Sequence, residues 1–198
     1  MKILMIGAGG TIGQKVKAAL GKHEIITAGR NSGDVRVDIA QPESVEQLFK
    51  QVKSIDAVIV TAGSVGMDDL QSLTSAKIME ALPGKLMGQI NVVLIGQHYL
   101  NEGGSFTLTS GILADDPAKG FVSGAVVNAA LNGFVLSAAL ELKKGMRINA
   151  VSPGVVEDSF AELQPLFPGF NSISMDRVVN AYVRSVEGGI TGQIIKVY

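Results

Sequence analysis

Cysteine is absent from all 198 residues, and so is tryptophan. Disulfides, thiolate metal sites and a thiol nucleophile are thereby excluded. Only two histidines occur, His23 and His98, far apart and without carboxylates at ligand spacing. No metal site is expected; His23 reads as a loop residue and His98 as a helix end. Aromatics make up 5% of the chain, and the three tyrosines, Tyr99, Tyr182 and Tyr198, leave a long middle stretch without one. An excess of one charge is lacking too, since 17 basic residues face 18 acidic ones. Nothing electrostatic draws such a chain to nucleic acid or to an anionic membrane. The start, MKILMIGAGG, has neither the apolar length nor the cleavage site of a signal peptide, so a cytoplasmic location is expected.

Two stretches lack charge, residues 120–140 and 86–100. The first is close to the length of a membrane span. It carries Ser123, Asn128, Asn132, Ser137 and three glycines, and the second carries Gln89, Asn91, Gln97 and His98. Helices buried on most sides of a water-soluble fold account for both better than lipid contact does.

What is present is a regular alternation. Short apolar runs at Lys2–Ile6, Glu24–Ala28, Val35–Ile39, Ala57–Ala62, Ser105–Ser110, Arg147–Val151 and Gln193–Val197 read as strands. Helical spacing lies between them: Thr11–Leu20, a helix opened by Pro42, Thr74–Leu82, Lys85–Leu100, Ser123–Lys144 and a helix from Ser174 to about Val186. Strands without polar alternation belong to a parallel sheet covered on both faces. The expected fold is α/β, a Rossmann-like doubly wound parallel sheet in three α/β/α layers, with residues 1–198 as one domain. The segment Val155–Ser172 is the one long irregular stretch, a substrate lid or an ordinary connection.

The first turn reads Gly7-Ala8-Gly9-Gly10-Thr11-Ile12-Gly13 between a strand and a helix. Glycines there permit a tight turn and close approach of backbone N–H groups to a pyrophosphate, which the helix N-terminus also favours. The end of the second strand discriminates between cofactors. It reads Gly29-Arg30-Asn31-Ser32, with no carboxylate before Asp34 to hold a ribose 2′-hydroxyl. Arg30, Asn31 and Ser32 instead suit a 2′-phosphate, so NADP(H) is expected ahead of NAD(H).

Over nearly its whole length the chain resembles the short-chain dehydrogenase/reductases. The resemblance rests on the Gly7–Gly13 turn, Asp38-Ile39, Thr61-Ala62-Gly63, Thr109-Ser110, the run Arg147 to Gly154 and Ile190-Thr191-Gly192-Gln193. It implies that Asp38 and Ile39 meet the adenine, that Thr61, Ala62 and Gly63 line the adenosine side, and that Pro153, Gly154 and Val155 meet the nicotinamide carboxamide. Asp38 also reads as a cap for the helix near Pro42. It further implies Ser110 as the residue that orients a small-molecule carbonyl substrate.

The family's catalytic Tyr and Lys do not carry over. Alignment on Ala129-Ala130-Leu131 places Gly124 at the Tyr and Asn128 at the Lys. Lys85 falls where the family has an Asn, so the Asn and Lys are exchanged between two sites that face each other across the ribose. Lys85 is therefore expected to reach the ribose hydroxyls and to supply a proton, or else to be a solvated lysine near a helix start. Two functions follow. One is an NADP(H)-dependent oxidoreductase reducing a small carbonyl with Ser110 and Lys85; the other is a non-catalytic NADP(H)-binding sensor. The uncharged helices, rich in small residues, are expected to build a homodimer or homotetramer.

Overall fold

Alternate residues of the central strands enter different cores. The computed structural model describes residues 1–198. Leu4, Ile6, Val58 and Val60 belong to one apolar cluster, while Ile3, Met5, Ala57 and Ile59 belong to the other. All eight are buried, which is why these strands show no period-two polarity. Seven strands result: β1 (Lys2–Ile6), β2 (Glu24–Gly29), β3 (Val35–Arg36), β4 (Ile55–Val60), β5 (Leu100–Thr109), β6 (Arg147–Pro153) and β7 (Gln193–Val197). All pair in parallel, in the order β3-β2-β1-β4-β5-β6-β7.

Helices cover both faces. α1 (Thr11–Ala19) and α7 (Met175–Glu187) pack on one through Val16, Val178, Tyr182 and Val186. α2 (Pro42–Gln51), α4 (Gly88–Gly96) and α5 (Val122–Glu141) pack on the other through Leu48, Phe49, Val92, Val127 and Leu131. The chain runs outward from β1 to β3, then resumes at β4 on the opposite side of β1. Ile6 and Val60 are register partners there, so the crevice beyond them is the topological switch point where such sheets bind ligands.

Several boundaries differ from the sequence reading, each for an identifiable reason. The third strand ends at Arg36 rather than Ile39, because Asp38 Oδ1 accepts the Ala40 N–H and Ser44 Oγ accepts the Asp38 N–H, folding a turn ahead of α2. Leu100 begins β5 rather than ending a helix, and the register shifts between Ile55 and Ala57 as the strand passes Gly103 and Gly104. α5 stops at Glu141, and Lys144 and Gly145 then turn with positive φ. The segment 155–172 holds a short helix, α6 (Glu157–Leu163), and a 3-10 turn at Gln164–Leu166, with Val156 bridging to Ile173.

The largest difference concerns Lys85. The expected break between two helices does not occur. A π-helical turn at Pro83–Met87 joins α3 (Ser75–Leu82) directly to α4. Lys85 thus lies inside a continuous helical run and is 8% exposed, not a solvated residue at a helix start.

The runs Ser75–Gly96 and Val122–Glu141 have mean hydropathies of 1.2 and 1.5, enough by length and composition to cross a membrane. In the fold α4 and α5 pack on the sheet, and α5 turns Val127, Leu131 and Val135 into the core. Its other face leaves Val126, Leu136 and Leu140 exposed.

Candidate functional site

The glycine turn divides into two kinds of position. Gly7 has φ +91°, and a Cβ there would lie 2.6 Å from Ala62 N. A Cβ at Gly13 would collide with Gly7 O. Those two glycines are demanded by the fold, where α1 crosses β1 and β4. Gly9 and Gly10 are not: the nearest atoms to an added Cβ are Ser32 Oγ at 3.5 Å and Gly7 O at 3.6 Å. Neither has a positive φ. Glycine there leaves backbone open to something other than the chain itself.

α1 begins at that open backbone without a side-chain cap or an acidic residue in its first turn. An anion is the group its free N–H donors favour. Beside it runs a cleft of about 200 Å³ lined by Ile6, Gly29, Arg30, Val37, Asp38, Ile39, Ala40, Ala62, Gly63, Ser64, Gly84 and Lys85. Five positions expected to bind cofactor (Arg30, Asp38, Ile39, Ala62 and Gly63) thus meet in one place together with Lys85. Ser32 flanks Gly9, whereas Asn31 is exposed and lines no part of the cleft. Thr61 Oγ1 donates to Gly7 O at 2.9 Å, tying β4 to the turn rather than facing the cleft. Phosphate-sized backbone access, an adjoining cleft with a carboxylate and an arginine at its rim, and exposed Thr11 fit a dinucleotide.

Lys85 crosses beneath Gly63. With φ +113° and Lys85 Cγ 2.9 Å from an added Cβ, Gly63 admits no side chain. Lys85 Nζ donates to Ser110 O at 2.9 Å, its one hydrogen bond in the chain. Burial brings its pKa down to about 8. Ser110 is 2% exposed and its Oγ donates to Asn128 O at 3.2 Å. To donate to a substrate oxygen it must exchange that bond. Asn128 packs against Gly111, and its Oδ1 is buried without a partner.

Gly124 and Asn128, assigned by the resemblance to the family's Tyr and Lys, both face inward on α5. A Cβ at Gly124 would lie 3.2 Å from Val65 Cβ and 3.3 Å from Leu113 Cδ1. Val65, on the loop after β4, thus fills the space a larger side chain would need. Asp68 holds that loop down: its Oδ1 accepts Val122 N–H at 2.8 Å and its Oδ2 accepts from Ser123 N and Oγ. Between loop and helix lies a cleft of about 180 Å³ that Lys85, Glu80, Ser123 and Gly124 help to line.

None of the three tyrosines lies on α5. Tyr182 is fully buried across the sheet, where its OH meets Thr109 Oγ1 at 2.6 Å, and burial raises its pKa. Tyr198 OH donates to Asp115 Oδ2 at 2.5 Å; burial and that carboxylate raise its pKa as well. Tyr99 stacks on Phe49.

The run from Arg147 to Val155 does two jobs. Arg147 donates to Ser185 O at 2.8 Å and Val186 O at 3.0 Å, a cation on the last carbonyls of α7. Asn149 Nδ2 donates to Ile190 O at 3.0 Å, and its Oδ1 accepts Gln193 N–H at 3.1 Å. These residues lock the final helix and strand. Pro153, Gly154 and Val155 then leave β6 at the C-terminal edge of the sheet and line no part of the cleft beside Arg30; Gly154 N–H binds Val197 O and Val155 O receives Ile173 N–H. Val155 packs with Leu113, Phe121 and Phe167 in a small cluster beneath α6.

A family profile described as Enoyl-(Acyl carrier protein) reductase matches residues 12–184. The protein lin1944 from Listeria innocua has the same fold at 46% identity, with a TM-score of 0.97 and all of both chains covered. A small-chain dehydrogenase solved in complex with NADPH is 26% identical, with a TM-score of 0.86 over 100% of this chain and 96% of that one. Among curated sequences, the short-chain dehydrogenase/reductase ATR9 of Stachybotrys chlorohalonatus is 31% identical over 150 residues, 71% of this chain and 59% of the relative. The chain spans under three-fifths of the length of that relative and of a Mycobacterium tuberculosis oxidoreductase that matches at 28% identity. With most of its length matched in sequence and its seven-stranded sheet shared by these structures, the chain belongs to the short-chain dehydrogenase/reductase family.

Proposed function

We propose that the protein is an NADP(H)-dependent oxidoreductase that reduces a small carbonyl compound. The observation that carries this reading is the pair Gly9 and Gly10, which the fold leaves free of any need for glycine. They give a pyrophosphate access to the start of α1. Arg30 at the rim of the adjoining cleft supplies a fork for a 2′-phosphate, and the NADPH bound by one solved relative agrees with that choice. Asp38 and Ile39 flank the adenine, and Asn128 Oδ1 offers a buried acceptor to a ribose hydroxyl.

When bound, NADPH supplies the hydride from its nicotinamide ring. Pro153, Gly154 and Val155 border that ring. Ser110 turns its hydroxyl from Asn128 O to the substrate oxygen. Lys85, whose amine still has N–H donors to spare beyond Ser110 O, delivers the proton to that oxygen. Val65 over Gly124 keeps the opposite wall apolar.

The test is NADPH oxidation across a carbonyl panel, with cofactor titration of wild type, Arg30→Ala and Ser110→Ala. NADPH is expected to bind at least tenfold tighter than NADH, the gap closing in Arg30→Ala, and turnover is expected to need Ser110. Tight NADPH binding with no turnover on any carbonyl would replace the enzyme by a cofactor sensor. The inward-turned Ser110 hydroxyl is the observation that favours that second reading.

We further propose a homo-oligomer built on α5, whose outer face aligns Val126, Ala129, Ala130, Gly133, Leu136 and Leu140 at helical spacing. Light scattering at micromolar concentration is expected to give a dimer or tetramer, and Leu136→Glu to dissociate it. A wild-type monomer refutes the interface.

A further inference from the structure

Gln89 is completely buried in the first turn of α4, and its side-chain amide is fully engaged with backbone. Oε1 accepts Thr109 N–H at 2.8 Å; Nε2 donates to Thr109 O at 2.9 Å and to Lys85 O at 3.1 Å. Thr109 is the last residue of β5, at the crevice where β4 has already departed. The β4–β5 ladder ends at Ile59 and Thr107. Gln89 therefore presents a side-chain amide where a neighbouring strand would present a peptide group. One side chain satisfies both polar groups of Thr109 and continues the sheet by one step.

The same amide grips the helix that carries Lys85. The π-helical turn Pro83–Met87 closes with Gly88 N–H on Pro83 O, one residue longer than an α-turn. Such a turn changes the direction of every side chain on it. Here that direction carries Lys85 under Gly63 to Ser110 O, the carbonyl next to the strand end that Gln89 holds. Helix bulge and strand end are thus joined twice, by Gln89 to Lys85 O and Thr109, and by Lys85 to Ser110.

We propose that Gln89 is a positioning residue, which holds the Lys85 amine and the Ser110 hydroxyl in register by clamping the Pro83–Met87 turn to the end of β5. The proposal rests on the reading of Lys85 as proton donor. An uncharged chain of the same length, such as methionine, fills the space without any of the three bonds. A glutamate keeps the shape and the acceptor but loses both donors.

The experiment compares wild type, Gln89→Met and Gln89→Glu in three ways. These are thermal melting, NADPH titration, and the pH dependence of Lys85 acylation by acetic anhydride read by peptide mass spectrometry. In wild type the Lys85 reaction is expected to be half-maximal near pH 8. In both variants that midpoint is expected to move up toward an ordinary lysine, as the amine leaves its dry position. NADPH affinity is expected to change less than about threefold, because the adenosine cleft is untouched. On a carbonyl that wild type reduces, kcat is expected to fall at least tenfold with KM little changed. If melting temperature drops in both variants while the Lys85 profile stays that of wild type, Gln89 only closes the sheet and the proposal is overturned. Should Gln89→Met not fold, Gln89→Leu, which is also uncharged, takes its place, because the carboxylate of Gln89→Glu by itself raises a nearby amine's pKa. Turnover that survives Lys85→Met would refute Lys85 as the donor and leave the labelling comparison standing as a test of Gln89.

Discussion

Lys85→Met is expected to yield a protein that is more stable at neutral pH and far less active. The amine is 8% exposed and has one neutral carbonyl as partner. Its pKa falls from 10.5 to about 8 on burial. At roughly 1.4 kcal/mol for each pKa unit, keeping the charged form inside costs about 3 kcal/mol. Methionine removes that cost and fills similar space, but leaves Ser110 O without a donor, which returns about 1–2 kcal/mol. The net gain at pH 7 is about 1–2 kcal/mol, or ~2–8 °C in melting temperature for a chain of this size.

The pH dependence has a definite sign. Below pH 8 lysine is protonated in both folded and unfolded chains, and the whole burial cost is present. Between about 8 and 10.5 the unfolded chain retains a proton that the folded one has released. Wild-type stability contributed by this residue therefore rises through that window. The advantage of Lys85→Met shrinks over the same range and is gone above it. Melting curves of both proteins from pH 6 to 11 check this; a lead for wild type at pH 7 would contradict it. Loss of a general acid typically removes ~10²–10⁴ in rate, which single-turnover hydride transfer would show.

The second large effect separates two glycines three residues apart. In Gly13→Ala the new methyl meets Gly7 O and lies 2.9 Å from Ala8 Cα, both backbone atoms that cannot rotate away. Overpacking of this kind costs about 1–3 kcal/mol or more, so a lower melting temperature is expected whether or not NADPH is present. In Gly10→Ala the nearest atom is 3.6 Å away, and the unliganded protein is expected to melt within about 1 °C of wild type. NADPH affinity is nevertheless expected to fall at least thirtyfold, since the methyl stands where a pyrophosphate must approach the backbone. Unchanged affinity in Gly10→Ala would move the cofactor away from this turn. That outcome would undo the proposed function.

The fold was largely legible because its signals are local. The apolar runs at Lys2–Ile6 and Ala57–Ala62 lack polar alternation, and each is followed by glycine at the turn into the next element. Parallel order then follows from the connections, and the crevice beside Ile6 and Val60 follows from the order. Helix ends are less legible where contacts with distant residues hold them, as Lys85 is held to Ser110 and Gln89 to Thr109. α5, for instance, takes its N-terminal acceptor from Asp68, more than fifty positions away in the chain.

The site divides along the same line. Residue type at a local position is enough to read the glycine turn, Arg30 just after β2, and an α5 with neither Tyr nor Lys. The surroundings of these positions come from contacts between elements far apart in the chain. Gly124 is the counterpart of Val65 on another loop, and Arg147 caps the end of α7. Lys85 is an internal amine tied to Ser110, on a helical turn held by Gln89. Residues 85, 89 and 110 come together because the β4–β5 ladder ends at Ile59 and Thr107, and polar side chains fill the gap beyond it. No local pattern records that gap. It arises from the packing of separate elements, and burial there lowers the pKa of Lys85 to about 8.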